Sequence, residues 1–145
     1  MLTRQLRRLV LAAVLLATAL PGRAAETPVS LMEAGQPALG WEFGNGPEFP
    51  GATGSLAVDP AVQRDGRPSL KLVADFSKGG GYVQAGRKID GVDVRELSFW
   101  VRGLDVEQIT LRVTDSSEQC HQIRLATEKE PEWQRVVLPL ERFFT

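Results

Sequence analysis

The chain has 145 residues, with 17 Lys and Arg against 18 Asp and Glu, which suits one domain with a short appendage. Its single Cys excludes an internal disulfide and a cysteine-based zinc cluster, and its single His excludes every multi-histidine metal motif. Without residues 1–24, which hold Arg4, Arg7, Arg8 and Arg23 and no acid, 13 basic side chains face 18 acidic ones, a balance that argues against nucleic acid as a partner.

The N-terminus reads first. Arg4, Arg7 and Arg8 precede an apolar run from Leu9 to Leu20 that only Thr18 interrupts. Pro21-Gly22 ends the run, and Gly22 and Ala24 supply small residues where a signal peptidase requires them. This order predicts a signal peptide over residues 1–24, cut after Ala24 or Ala25, and a secreted or periplasmic domain over 25–145. A run of 12 residues is short of the roughly 20 that span a bilayer, so no membrane partner is expected after cleavage. A buried core helix or a retained anchor is the competing reading of the run. No Cys lies near the cut, which excludes a lipoprotein anchor. Export permits disulfides, yet the mature chain holds only Cys120, so the domain rests on its core and Cys120 reads as a small buried hydrophobe. Asn45, the sole Asn, precedes Gly-Pro and forms no glycosylation sequon.

No helical period persists after residue 25. Thr27–Gln36 reads as an opening strand, Trp41 and Phe43 as the closure of one end, and Asp59–Arg64 as a single helical turn. Ser69–Phe76 then alternates, with Leu70, Leu72, Ala74 and Phe76 on one face. Leu97–Arg102 places Leu97, Phe99 and Val101 opposite Ser98, Trp100 and Arg102. Ile109–Thr114 places Thr110, Arg112 and Thr114 opposite its apolar set, and Gln119–Ala126 and Trp133–Leu140 are two further strands. A period of two marks half-buried strands. Gly44–Pro47, Asp65-Gly66, Lys78–Gly81, Asp90-Gly91 and Gly103 punctuate them as turns. The pattern predicts an all-β antiparallel sandwich of seven or so strands. Glu141–Thr145 leaves the last strand at once, so either the sheet is open-edged or the chain is the front part of a longer protein.

The catalytic inventory is thin. Gly79–Gly86 is glycine-rich but has neither the dinucleotide nor the P-loop spacing, and a glycine hinge fits it better than a phosphate cradle. No nucleophile elbow is present. His121 near Asp115 lacks any spacing that marks a triad, and Asp90, Asp93, Glu128, Glu130 and Glu132 read as solvated charges. Aromatics remain: Trp41, Phe43, Phe49, Tyr82, Trp100 and Trp133. Most aromatics in a small β domain are core, and Trp133 fits that reading. Trp100 differs, because Leu97 and Phe99 already claim the buried side of its strand, so it is expected on a wet face, with Arg112 pointing the same way by parity.

Trp41-Glu-Phe-Gly, Glu48–Gly54, Ser69–Leu72 and Asp75–Val83 resemble the non-catalytic modules that flank bacterial glycoside hydrolase domains. Leu97–Val101, Leu111–Gln122 and Trp133–Leu140 continue the likeness, which covers most of residues 39–144. The resemblance implies a galactose-binding-like jelly roll that binds polysaccharide or oligosaccharide beside a tethered catalytic domain. It also implies a structural calcium near the chain ends, and a closing strand that follows Thr145. On this reading Tyr82 and Trp100 stack on sugar, while Arg112, His121 and Gln122 hydrogen-bond its hydroxyls. Trp133-Gln-Arg-Val, Pro139-Leu140 and Phe143 also resemble the complex I intermediate-associated family, which implies a structural or protein-interaction sandwich instead. Exported protein is expected to begin at Ala25 or Glu26, and intact residues 1–24 in the mass of soluble exported protein would contradict this.

Overall fold

Short runs rich in Val, Leu and Ile, cut by Gly and Asp, form antiparallel strands throughout the computed structural model, which describes residues 7–12, 28–91, 93–127 and 131–140. The expected cut after Ala24 or Ala25, the pair Glu128 and Glu130, and Glu141–Thr145 lie outside the described residues. The strands are β1 (Arg7–Ala12), β2 (Glu42–Gly44), β3 (Thr53–Arg64), β4 (Arg67–Asp75) and β5 (Gln84–Gly86). They continue as β6 (Glu96–Leu104), β7 (Gln108–Thr114), β8 (Cys120–Ala126) and β9 (Gln134–Pro139). A five-stranded sheet has the order β3-β4-β1-β6-β9, and β2-β5 and β7-β8 form two-stranded ladders. All these pairings are antiparallel. The molecule is thus all-β, a sandwich in which the large sheet packs on the β7-β8 hairpin.

Alternation decides which side of each strand is buried. Phe99 and Val101 of β6, with Val136 and Leu138 of β9, form the core against Ile109 and Leu111 of β7 and Ile123 and Leu125 of β8. Cross-strand partners share a face, and Phe99 lies opposite Val136 and Leu97 opposite Leu138. On β4, Leu70 is fully buried and Leu72 nearly so. Asp65-Gly66 closes the β3-β4 hairpin with both residues at positive φ, 52° and 73°, the geometry of a two-residue type I′ turn.

Arg7–Ala12 lies at the centre of the large sheet. It pairs with β4 from Arg7 opposite Ala74 to Leu11 opposite Leu70, and with β6 from Arg8 opposite Leu104 to Ala12 opposite Trp100. The front of the expected signal peptide therefore occupies a strand position between two elements that do not pair with each other.

Two further expectations are corrected. Residues 28–36 form no strand; the segment turns through Gly35 into a 3-10 turn over Pro37–Gly40. Arg87, far along the chain, holds it there. Its Nη1 donates to the carbonyls of Leu31 (2.9 Å) and Leu39 (3.2 Å), its Nη2 pairs with Glu33, and Trp41 Nε1 donates to Leu31 O at 2.8 Å. Asp59–Arg64 is strand, not helix, with a bulge between Asp59 and Gln63. Asp59 Oδ1 accepts from the amides of Ala61 (3.0 Å) and Val62 (3.3 Å), a local turn within a strand that sequence alone reads as a helix start.

Replacing fully buried Leu70 by Ala should lower stability by about 2–5 kcal/mol, whereas Ala in place of Leu104, which is 39% exposed, should cost well under half of that. Urea unfolding of the two variants measures the difference.

Candidate ligand-binding surface

Two loops meet beside β5. Gly46 accepts from the Phe49 amide at 2.9 Å and closes the turn that carries Glu48 and Phe49. The second loop leaves β4 through a turn in which the Gly79 amide donates to Phe76 O at 3.1 Å, and it carries Tyr82. Glycine lets the loops touch. A Cβ on Gly46 would lie 2.8 Å from Tyr82 Cε1 and 2.9 Å from its Cζ, and the residue has φ +59°. Within the glycine-rich stretch a Cβ on Gly80, at φ +94°, would lie 2.3 Å from the Ala52 amide nitrogen, so that stretch is a packing and turning device.

On this seat the Phe49 and Tyr82 rings meet edge to face, with centroids 6.4 Å apart and planes at 69°. Phe49 is 56% exposed, a large apolar group with a free face. The Tyr82 hydroxyl donates to Glu48 Oε1. That bond and Glu48's own amide hold the Glu48 carboxyl below its usual range against the opposing effect of burial, with a weaker contribution from the charge of Arg112. The same bond pushes the Tyr82 phenol up, since an adjacent carboxylate disfavours phenolate.

Arg112, on the hairpin, acts on this pair through its charge. It lies directly opposite Gln122 on the exposed face of β7-β8. With its carbonyl oxygen turned to the guanidinium, Gln122 accepts from Arg112 Nη2 at 3.0 Å and from Nε at 3.3 Å. Phe49, Tyr82, Glu48, Arg112 and Gln122 thus offer aromatic faces, a carboxylate acceptor, a guanidinium donor and an amide. Such a set can stack on an apolar ring face and hydrogen-bond the hydroxyls around it.

The five residues expected from sequence divide into three groups. Tyr82 bonds Glu48 and Arg112 pairs with Gln122, and between these two pairs only the charge of Arg112 acts. His121 does not join them: it shares the inward parity of Ile123 and Leu125, and its Nε2 lies 3.7 Å from Asp115 Oδ2. Asp115 Oδ1 accepts from Ser117 Oγ (2.7 Å) and from the amides of Ser117 (2.8 Å) and Gln119 (3.0 Å), which fixes the β7-β8 turn and lowers the Asp115 pKa. Trp100 stands apart on the other layer. It points away from the core that Phe99 and Val101 fill, whereas Arg112 points outward from the opposite layer, so the two do not share a face.

The Trp100 side is also less open than parity suggests. Its neighbour Ser98 is 3% exposed, and the Arg64 guanidinium lies 4.0 Å from the Trp100 ring centroid. Cys120, expected in the core, is exposed. Glu48 and Phe49 escape a reading by strand pattern because they sit in a turn, although Gly46 and Gly81 beside aromatic residues mark the place. Among the described residues no three His, Cys, Asp or Glu side chains gather to hold a metal. Among the same residues no helix is long and apolar enough to cross a membrane.

Comparison with protein-family models, with curated proteins and with solved structures gives no match.

Tyr82 is the sole tyrosine, so phenolate absorbance reports it alone. Its titration should lie above the ordinary tyrosine range and return towards it in Glu48→Gln. The sign on the acid side follows from the lowered Glu48 pKa: the link is intact above the ordinary carboxylate range and is lost as pH falls through the depressed value. A spectrophotometric titration of both proteins checks the assignment, and identical midpoints would contradict it.

Proposed function

We propose that this is an exported, non-catalytic carbohydrate-binding sandwich whose binding surface is centred on Phe49 and Tyr82. The edge-to-face pair of exposed Phe49 and half-buried Tyr82, with Glu48 bonded to Tyr82 and the Arg112–Gln122 pair within reach of its charge, carries the reading. Sugar rings present CH faces that stack on aromatics and hydroxyls that bond in planar, directional fashion to Glu, Arg and Gln. No proton transfer or covalent step is needed for such a role. Its benefit would be to hold a polysaccharide near a tethered catalytic domain and raise the effective substrate concentration there. The jelly-roll and galactose-binding-like assignment belongs to the same proposal, and so does secreted or periplasmic localisation.

The surface has the composition of a weak, adaptable site. Phe49 and Tyr82 are rigid, with two side-chain torsions each, so little conformational entropy is lost on contact. Arg112 is already held by Gln122, which lowers the ordering cost further. Trp100 and His121 have other duties in this proposal: the first supports Arg64 over the large sheet, and the second backs the Asp115 turn.

Affinity electrophoresis through gels containing soluble plant, algal and bacterial polysaccharides tests the proposal. At least one polysaccharide should retard the protein. Phe49→Ala and Tyr82→Ala should each weaken retention about tenfold or more while the melting temperature moves little, because one ring face is already wet. Trp100→Ala should leave retention unchanged. If no polysaccharide retards a folded protein, the structural or protein-interaction sandwich becomes the better reading.

A further inference from the structure

Strand β1 connects β4 to β6, and among the described residues no other strand does. Its register is defined on both sides: Leu9 lies opposite Leu72 and Gly103, Val10 opposite Lys71 and Arg102, and Leu11 opposite Leu70 and Val101. The walls at the Leu9 and Leu11 positions are buried, with Leu70 at 0%, Val101 at 1% and Leu72 at 7% exposed. Gly103 is also buried, and Thr127 packs over it, its Cβ 3.1 Å from where a Cβ on Gly103 would sit. The slot therefore demands an extended backbone, antiparallel to both neighbours, with aliphatic residues two apart. Its edges present ladder groups of β4 and β6 that must find partners, since an unpaired buried peptide group costs stability.

We propose that the slot between β4 and β6 is a strand-acceptor site that takes an extended aliphatic peptide segment in trans once leader removal has taken Arg7–Ala12 away. The proposal rests on the reading of residues 1–24 as a cleaved signal peptide. The segment seated in the structure defines the chemistry of the occupant: aliphatic at the Leu9 and Leu11 positions, free of proline, and paired on both edges. Main-chain bonds to two strands supply the affinity, and the buried walls at alternate positions supply the selection.

The test uses the full chain with a protease site introduced within residues 13–27, folded first and cut afterwards. The probe is a labelled synthetic peptide of residues 5–14. The cut leader fragment should remain bound and then exchange with excess labelled peptide. Bound peptide should raise the melting temperature and slow hydrogen exchange at the amides of Leu70–Ala74 and Trp100–Leu104. The same peptide with Val10→Pro should bind at least tenfold more weakly, because proline removes a ladder donor within a central strand. Three results overturn the proposal: the cut chain stays folded but binds no peptide; it unfolds and no peptide restores it; or the proline peptide binds as well as the parent. The cut is made in vitro, so an uncleaved leader in exported protein would end the leader reading without altering this result. Polysaccharide retention is measured separately and does not enter it.

Discussion

The ladder that joins β4 to β6 through Arg7–Ala12 is the constraint on which the large sheet depends. An extended strand carries donors and acceptors along both edges, and a strand in mid-sheet must satisfy both. Here β3-β4 and β6-β9 are two antiparallel pairs that would otherwise be separate ribbons. Two-stranded ribbons are marginal alone, whereas a five-stranded sheet with one apolar face is a viable layer. Buried Leu70 and Leu72 lie on one side of it and Phe99 and Val101 on the other, with Arg7–Ala12 in register with both strands.

From that layer the place of the proposed binding surface follows. Phe99 and Val101 fix the large sheet against Ile109, Leu111, Ile123 and Leu125, so the even-numbered residues of β7 and β8 must face outward. That places Arg112 and Gln122 opposite each other on an open face. The loops that flank β5 then bring Glu48, Phe49 and Tyr82 to the same region, and Gly46 allows the Tyr82 ring to settle against the backbone. Rigid strands hold the polar pair, while glycine-seated loops hold the aromatic pair. Each half alone is an ordinary surface feature. Glu48 is bonded to Tyr82 and feels the charge of Arg112, and the proposed surface joins the two halves.

Much of the fold was legible in the residues. The alternation in β4, β6, β7 and β8 is clean because each of these strands has one buried face, and Asp65-Gly66 is a strong hairpin signal. Parity also placed Trp100 off the core. What parity does not encode is whether the outward face is open, and Ser98 and Arg64 show that around Trp100 it is covered. His121 was misplaced for a simpler reason: its polarity suggested solvent, but its position shares the phase of Ile123 and Leu125. Residues 28–36 depart from a strand because Arg87 captures their carbonyls from more than forty residues away, a pairing with no local signature. Asp59 bends β3 through side-chain bonds to Ala61 and Val62, and such bonds serve helix starts and bulges alike.

The N-terminal run shows where sequence reading reaches its limit. Leu9-Val-Leu11 has no polar residue to set a phase, so periodicity cannot separate a leader from a buried strand. Both roles ask for the same composition. A leader must be apolar to partition into a translocation channel, and a central strand must be apolar because little of it meets water. The structure shows that the run is chemically matched to the slot, with aliphatic walls at the Leu9 and Leu11 positions and ladder partners on both sides. Matching of this kind has a consequence for export. A chain whose leader can complete its own sheet can fold before the leader is removed, and a leader held in a ladder on both edges is hard for a peptidase to reach. On the proposed leader reading, export requires that the segment leave the slot or never enter it, and the ladder groups it paired are then open to another strand.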